Sequence, residues 1–303
     1  MTLRNRSRII EPMNRLSVQE RARIVACLCE GMSMRATVRM TGFAKRTVER
    51  TLREVGEAVW IYQDEHLREL PSKRVECDEI WSFCYAKQKN VPKEHKGEFG
   101  FGDMWTWTAI CADTKIIPCW LVSDRSHEAA VEFMMNLVGR LENRVQLTSD
   151  GLNAYIGAVE EAFGMDVDFA QLIKTYGPSQ GQNETERKYS PGEVSAIKKY
   201  EIMGNPDPDL VSTSYAERQN LTMRMQMRRF TRLTNAFSKK VQYLEFAVAL
   251  YFMYYNFCRK HQTLKSQTPA MAAGVADHVW TIEEITALAE PVISSRSYVS
   301  GQA

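Results

Sequence analysis

The chain has 303 residues, of which 44% are hydrophobic and 25% charged, and a net charge of +2. That is enough to bury a sizeable core, in one large domain and a small one. Its seven cysteines form no Cys-x-x-Cys pair, and its most apolar stretch, residues 246–258, is far shorter than the roughly 20 residues of a membrane helix. These features argue against a disulfide framework, a zinc knuckle and a membrane span, and the expected setting is the cytoplasm, at the nucleoid. Charge is uneven: residues 1–60 carry twelve Arg/Lys against six Asp/Glu, and residues 214–265 carry ten against two. Two basic blocks around an acidic middle suit a polyanion better than a small neutral ligand, although a solvated charged helix gives similar counts.

Residues 17–56 read as three helices. Ser17-Val18-Gln19-Glu20 is a capping box that opens the first, Gly31 closes it, and a second short helix runs to about Met40. A turn at Thr41-Gly42-Phe43 leads into the third, which carries Lys45, Arg46, Thr47 and Arg50 on one side and Val48 and Leu52 on the other. A glycine turn before a basic, hydroxyl-bearing helix is helix-turn-helix patterning, which places a DNA-binding domain at 1–62; similar turns also join helices in bundles that touch no DNA. A helical connector follows and ends at Leu70-Pro71-Ser72, within a linker at 63–74.

The second domain is expected over 75–265. Residues 75–85, 104–113 and 116–122 read as three antiparallel strands, 126–140 as an amphipathic helix, 144–148 as a fourth strand, 152–163 as a helix and 167–174 as a fifth strand. This order predicts an α/β (α+β) fold of ribonuclease H-like type, a mixed sheet with flanking helices. Residues 177–213, rich in Gly, Pro, Asn and charge, read as an inserted loop. Helices resume at Ser214 and over 238–259, the latter aromatic and read as buried against the sheet, and 266–303 is a C-terminal tail.

Three acids fall where a metal-dependent site on such a sheet needs them: Asp78 in Cys77-Asp78-Glu79-Ile80-Trp81, Asp150 in Leu147-Thr148-Ser149-Asp150-Gly151, and Glu217 in Ser214-Tyr215-Ala216-Glu217-Arg218. Phosphodiester cleavage on this fold uses two divalent cations about 3.5–4 Å apart, and hard cations take carboxylate oxygens. Each acid has a plain alternative: a strand-edge charge for Asp78, an Asp-Gly turn for Asp150, a capping box with Ser214 for Glu217. Asp103, Asp113 and Asp124 compete for the role, but two lie in turns and Asp103 precedes the second strand. On the helix from Ser214, Glu217, Asn220, Arg224 and Arg228 recur at three- or four-residue spacing and so are expected on one face. Arginines there, with Arg218 and Arg229, are expected to grip phosphate oxygens.

At these residues the chain resembles a bacterial transposase family, that of insertion sequence one, within the DDE group of transposases and integrases. The matching words are Cys77-Asp78-Glu79 with Trp81, Asp150-Gly151 with Tyr155, Ala216-Glu217-Arg218-Gln219-Asn220, Arg229-Phe230 and Phe237-Ser238-Lys239-Lys240. The ending Tyr255-Asn256-Phe257-Cys258-Arg259-Lys260-His261 looks like that of related transposases. The resemblance implies Asp78, Asp150 and Glu217 as ligands of Mg2+, with Mn2+ as a substitute. It also implies cleavage at insertion-sequence ends, strand transfer into target DNA, an N-terminal domain that reads terminal inverted repeats, and an assembly of two or more copies. The chain departs from many relatives in lacking an N-terminal cysteine zinc finger, and from the shortest ones in the longer interval between Asp150 and Glu217. Alternative readings are a helix-turn-helix transcription regulator and a ribonuclease H-like nuclease that cuts without rejoining.

Overall fold

The computed structural model describes residues 15–177, 192, 194–231 and 234–291. Helix α1 (Val18–Cys29) opens on the expected capping box: the Glu20 amide donates to Ser17 Oγ at 3.2 Å, and the Ser17 amide donates to the Glu20 carboxylate at 2.8 Å. Helix α2 (Met34–Thr41) ends on Gly42, whose φ of +76° is a left-handed conformation that a Cβ would strain. Helix α3 (Lys45–His66) then runs 22 residues without a break, through residue 62 and into the span read as a linker. Its apolar face (Val48, Leu52, Val55, Val59) is fully buried, which is why the connector continues as helix. Arg140, itself buried, donates to the Gln63 and Leu67 carbonyls and to the Asp64 carboxylate, so it satisfies the last turn of α3 and fixes it to the turn at residues 139–141.

The sheet has six strands in the order β3-β2-β1-β4-β5-β6. They are β1 (Arg74–Cys84), β2 (Gly102–Cys111), β3 (Trp120–Ser123), β4 (Val145–Ser149), β5 (Val167–Tyr176) and β6 (Val194–Met203). The first three run antiparallel, β1, β4 and β5 are parallel, and β6 returns antiparallel on the edge. This is the mixed α/β, ribonuclease H-like sheet that the element order predicts. Helices α4 (His127–Val138) and α5 (Ala154–Phe163) cover one face, packing Phe133, Leu137, Tyr155 and Val159 onto Trp107, Leu147 and Phe169. Helices α6 (Ser214–Gln226) and α7 (Val241–Met253) cover the other, where Ala216, Met223, Leu244 and Phe252 meet Ile80, Met104 and Ile110.

The far side of α7 belongs to a second cluster, in which Ala249, Leu250 and Met253 join Leu52, Val55 and Val59 of α3. The same cluster takes in Ala270 and Ile285, from short helices α8 (Pro269–Ala272) and α9 (Ile282–Ala287), so the C-terminal segment packs with the N-terminal helices. The α3–α7 crossing is close at Gly56, where an added Cβ would sit 2.5 Å from Phe246 Cβ. Gly56→Ala is expected to cost about 1–3 kcal/mol through overpacking, read as a lower midpoint in urea unfolding at unchanged slope.

Two expected elements are corrected. The third strand is only Trp120–Ser123, because the buried side chain of Asn256 occupies the backbone just before it, accepting from the Ile117 amide and donating to the Ile117 carbonyl, both at 3.0 Å. The inserted loop contains β6, whose residues are almost all exposed; it is held by backbone pairing to β5 rather than by an apolar face, so no alternation marks it in the sequence. The remainder of that loop, apart from 177, 192 and 204–213, lies outside the described residues.

Candidate metal centre

Strands β1 and β4 run parallel with Cys77 opposite Ser149, so the next residues stand side by side: Asp78 in the middle of β1 and Asp150 just past the end of the shorter β4. Glu79, one residue on, leans toward the α5 side. One carboxylate oxygen from each of Asp78, Glu79 and Asp150 lies within 4.8 Å of the other two. Asp78 Oδ1 accepts from the Glu79 amide and Oδ2 accepts from Asn220 Nδ2, each at 2.8 Å. Asp150 Oδ1 accepts from the Leu152 amide at 3.0 Å, an Asx turn that aims the side chain as well as turning the chain. Here the turn and the site are compatible uses of one residue.

Arg125 supplies the fixed positive charge. Its Nε and Nη2 donate to Glu79 Oε2 at 3.1 and 2.9 Å, Nη2 lies 3.8 Å from Asp150, and its guanidinium stacks 4.5 Å from the Trp105 ring centroid. Burial first, and then the Asp150 carboxylate, raises Asp78 to about 6 and Glu79 to about 7. Tyr155 stands near enough to favour the charged Glu79, yet neither its hydroxyl nor Glu79 Oε1 completes a hydrogen bond, and buried Asn220 Oδ1 is likewise unpartnered. An all-oxygen donor set and the mutual repulsion of three crowded acids fit a hard divalent cation.

Glu217 stands beside this cluster, outside it. Its charge contributes to raising Asp78, but its Oε1 accepts from Lys174 Nζ at 2.5 Å and from Thr213 Oγ1 at 2.7 Å. The first turn of α6 that carries Glu217 is pinned from β1: buried Glu76 accepts from the amides of Tyr215 and Ala216 at 2.7 and 3.1 Å. Glu76 and Asn220 therefore set where α6 sits over Asp78. Glu76 alternates with Asp78 along β1, and that shared face is the sequence signal that would have found it. Glu79 was visible only as the neighbour of Asp78, and Arg125 carries no local signal, because the sheet alone brings it to the acids.

The expected DNA-contacting residues fall into three groups. Lys45, Arg46 and Arg50 are exposed at the start of α3 with Thr47 half-buried among them, and Lys45 pairs with Glu49 at 3.1 Å. Arg218 is exposed and Arg224 half-buried on α6. The shared helical face does not extend to Arg228: α6 ends at Gln226, and Met227 turns the backbone extended (φ −114°, ψ 109°), leaving Arg228 exposed beyond the helix. Arg229 turns inward, its Nη1 donating to Ser238 Oγ at 2.5 Å while burial lowers its pKa to about 10. Ser238 in turn bridges to the end of β1 at Cys84, so this arginine braces a loop against the sheet.

Neither a protein-family model nor a curated protein matches the sequence. Among solved structures, the chain is similar to a piggyBac transposase synaptic complex with hairpin DNA, with 10% identity, a TM-score of 0.39, and coverage of 97% of this chain and 76% of that one. It is also similar to a pre-cleavage Mos1 transpososome, with 9% identity, a TM-score of 0.29, and coverage of 94% and 81%. At these scores the likenesses leave the chemistry to rest on the side chains themselves. Among the described residues, no helix is long and apolar enough to cross a membrane.

Proposed function

We propose that the chain is a DNA transposase in which Asp78, Asp150 and Glu217 hold Mg2+, with Mn2+ able to substitute, for strand cleavage at the ends of an insertion sequence and strand transfer into target DNA. The observation that carries this reading is the convergence of Asp78 and Glu79, in the middle of β1, with Asp150 at the end of the parallel strand β4, and with the α6 turn of Glu217 pinned beside them. Bound there, the ions supply activation of the attacking oxygen and neutralisation of the leaving oxygen. The chain's own residues prepare the ground. Asn220 and the Glu79 amide orient both oxygens of Asp78, the Asx turn orients Asp150, and Arg125 offsets the crowded negative charge. No side-chain nucleophile is required, which agrees with the lack of a Ser-His or Cys-His arrangement in the sequence.

Lys45, Arg46, Thr47 and Arg50 serve in this reading to seat α3 on the terminal repeat, and Arg218, Arg224 and Arg228 to line the backbone path near the site; Arg229 acts by bracing the loop. Two ends must be brought together, so the working unit is a homodimer or larger. Arg46→Ala with Arg50→Ala is expected to weaken duplex binding and lower the slope of log K against log salt by about 2, one for each lost phosphate contact. Filter or anisotropy binding across a salt series measures it.

The reading is tested by incubating the protein with candidate element ends and Mg2+ and resolving joined products. Metal-dependent joining supports it. Cutting without joining favours the nuclease, and sequence-specific binding with no metal-dependent product favours the transcription regulator.

A further inference from the structure

We infer that Lys174 is an internal counter-ion that keeps Glu217 out of the metal cluster until the DNA backbone draws the lysine away. The inference rests on the metal-binding reading above and adds an order of assembly to it. Glu217 is the one acid of the expected triad not gathered within the 4.8 Å cluster, and the ammonium of Lys174 lies at 2.5 Å from its Oε1. The Thr213 hydroxyl bonds the same oxygen at 2.7 Å, so Oε1 is fully engaged. The site is thus divided into a half already assembled, Asp78, Glu79 and Asp150, and a half closed by a cation of the protein itself.

The geometry makes this an exchangeable contact. Lys174 lies near the outer end of β5, opposite Ile197 of the exposed edge strand β6, and the side chains of Lys174 and Glu217 keep 20% and 44% of their surface in solvent. A pair so exposed is screened and adds little to stability, so a more highly charged partner can displace it at low cost. The flexible stem of lysine lets the ammonium swing without moving β5. Arg125 is built in the opposite way, fixed by two bonds to Glu79 and stacked on Trp105, and so remains in place. Lys199, on the adjoining β6 and on the same sheet face as Lys174, is exposed with its ammonium bonded to the Pro208 carbonyl; it adds positive charge there and favours a phosphate backbone as the partner that attracts Lys174.

The test counts ions by Mn2+ electron paramagnetic resonance and titration calorimetry on the full chain, without DNA and with a short duplex. Wild type alone is expected to take one tightly held ion, lost in Asp150→Asn, and to gain a second when duplex is added. Lys174→Met is expected to bind the second ion without DNA, at least tenfold more tightly than wild type does, while Lys174→Arg keeps the wild-type count. Thermal melts of each variant confirm that the folded fraction is unchanged. An Asp150-dependent first ion with equal counts and affinities in wild type and Lys174→Met overturns the counter-ion role alone. The absence of any Asp150-dependent ion in wild type overturns the metal reading, and this one with it.

Discussion

If the chain is the transposase proposed, Asp150→Asn is expected to lower strand cleavage and joining by about a thousandfold or more while duplex binding persists. The magnitude follows from losing a carboxylate that in this reading would anchor ions worth several kcal/mol of charge stabilisation in the transition state, with each 1.36 kcal/mol worth a factor of ten. Asparagine keeps the acceptor for the Leu152 amide, so the turn survives. The substitution also removes the charge that, after burial, does most to raise Asp78 and Glu79. Acids raised in the folded state stabilise it below their ordinary pKa, and that contribution is lost as pH rises through about 6 and about 7. Metal-free wild type should therefore melt higher at pH 5.5 than at pH 8, and Asp150→Asn should flatten that difference. Asp78→Asn is expected to lose activity equally. Full activity in either variant, in a joining assay with Mg2+, refutes their assignment.

The second large effect is expected at Glu76, a residue that touches none of the acids. Its buried carboxylate accepts two of the free amides at the start of α6, where Thr213 gives no side-chain cap. Glu76→Ala strands both donors and removes a negative charge from the positive end of the helix, at a cost of about 2–4 kcal/mol. The same turn carries Glu217, and the next carries Asn220, the donor to Asp78. A displacement there of about 1 Å is worth about a hundredfold in rate. Glu76→Gln keeps an acceptor and is expected to recover much of both. The checks are denaturant unfolding and joining assays at a temperature where all variants are folded; a Glu76→Ala variant that is less stable yet fully active shows that α6 is not positioned from β1.

The parts of the fold legible in the sequence were those with a strong side-chain period. The capping box at Ser17, the central strands and the helices on both faces follow from which residues must be buried. Hidden parts were those decided by backbone pairing or distant partners. Strand β6 has no buried face, and Asn256 shortens β3 from more than a hundred residues away. In the same way Asp78 was readable from the apolar strand that carries it and Asp150 from the turn that follows a strand, whereas Arg125, Glu76 and Lys174 acquire their roles only when the sheet and α6 come together. The basic run after Glu217 misled in one respect: helical spacing continues through Arg228, but the helix stops at Gln226.

Anomalous scattering from crystals soaked in Mn2+ shows whether Asp78 and Asp150 hold an ion between them. A peak is expected, bonded at about 2 Å to carboxylate oxygens of both Asp78 and Asp150 and weakened as the pH falls below about 6, where Asp78 takes up a proton. A protein that shows no manganese between these two residues at neutral pH, or holds it only elsewhere, has no metal centre at Asp78 and Asp150.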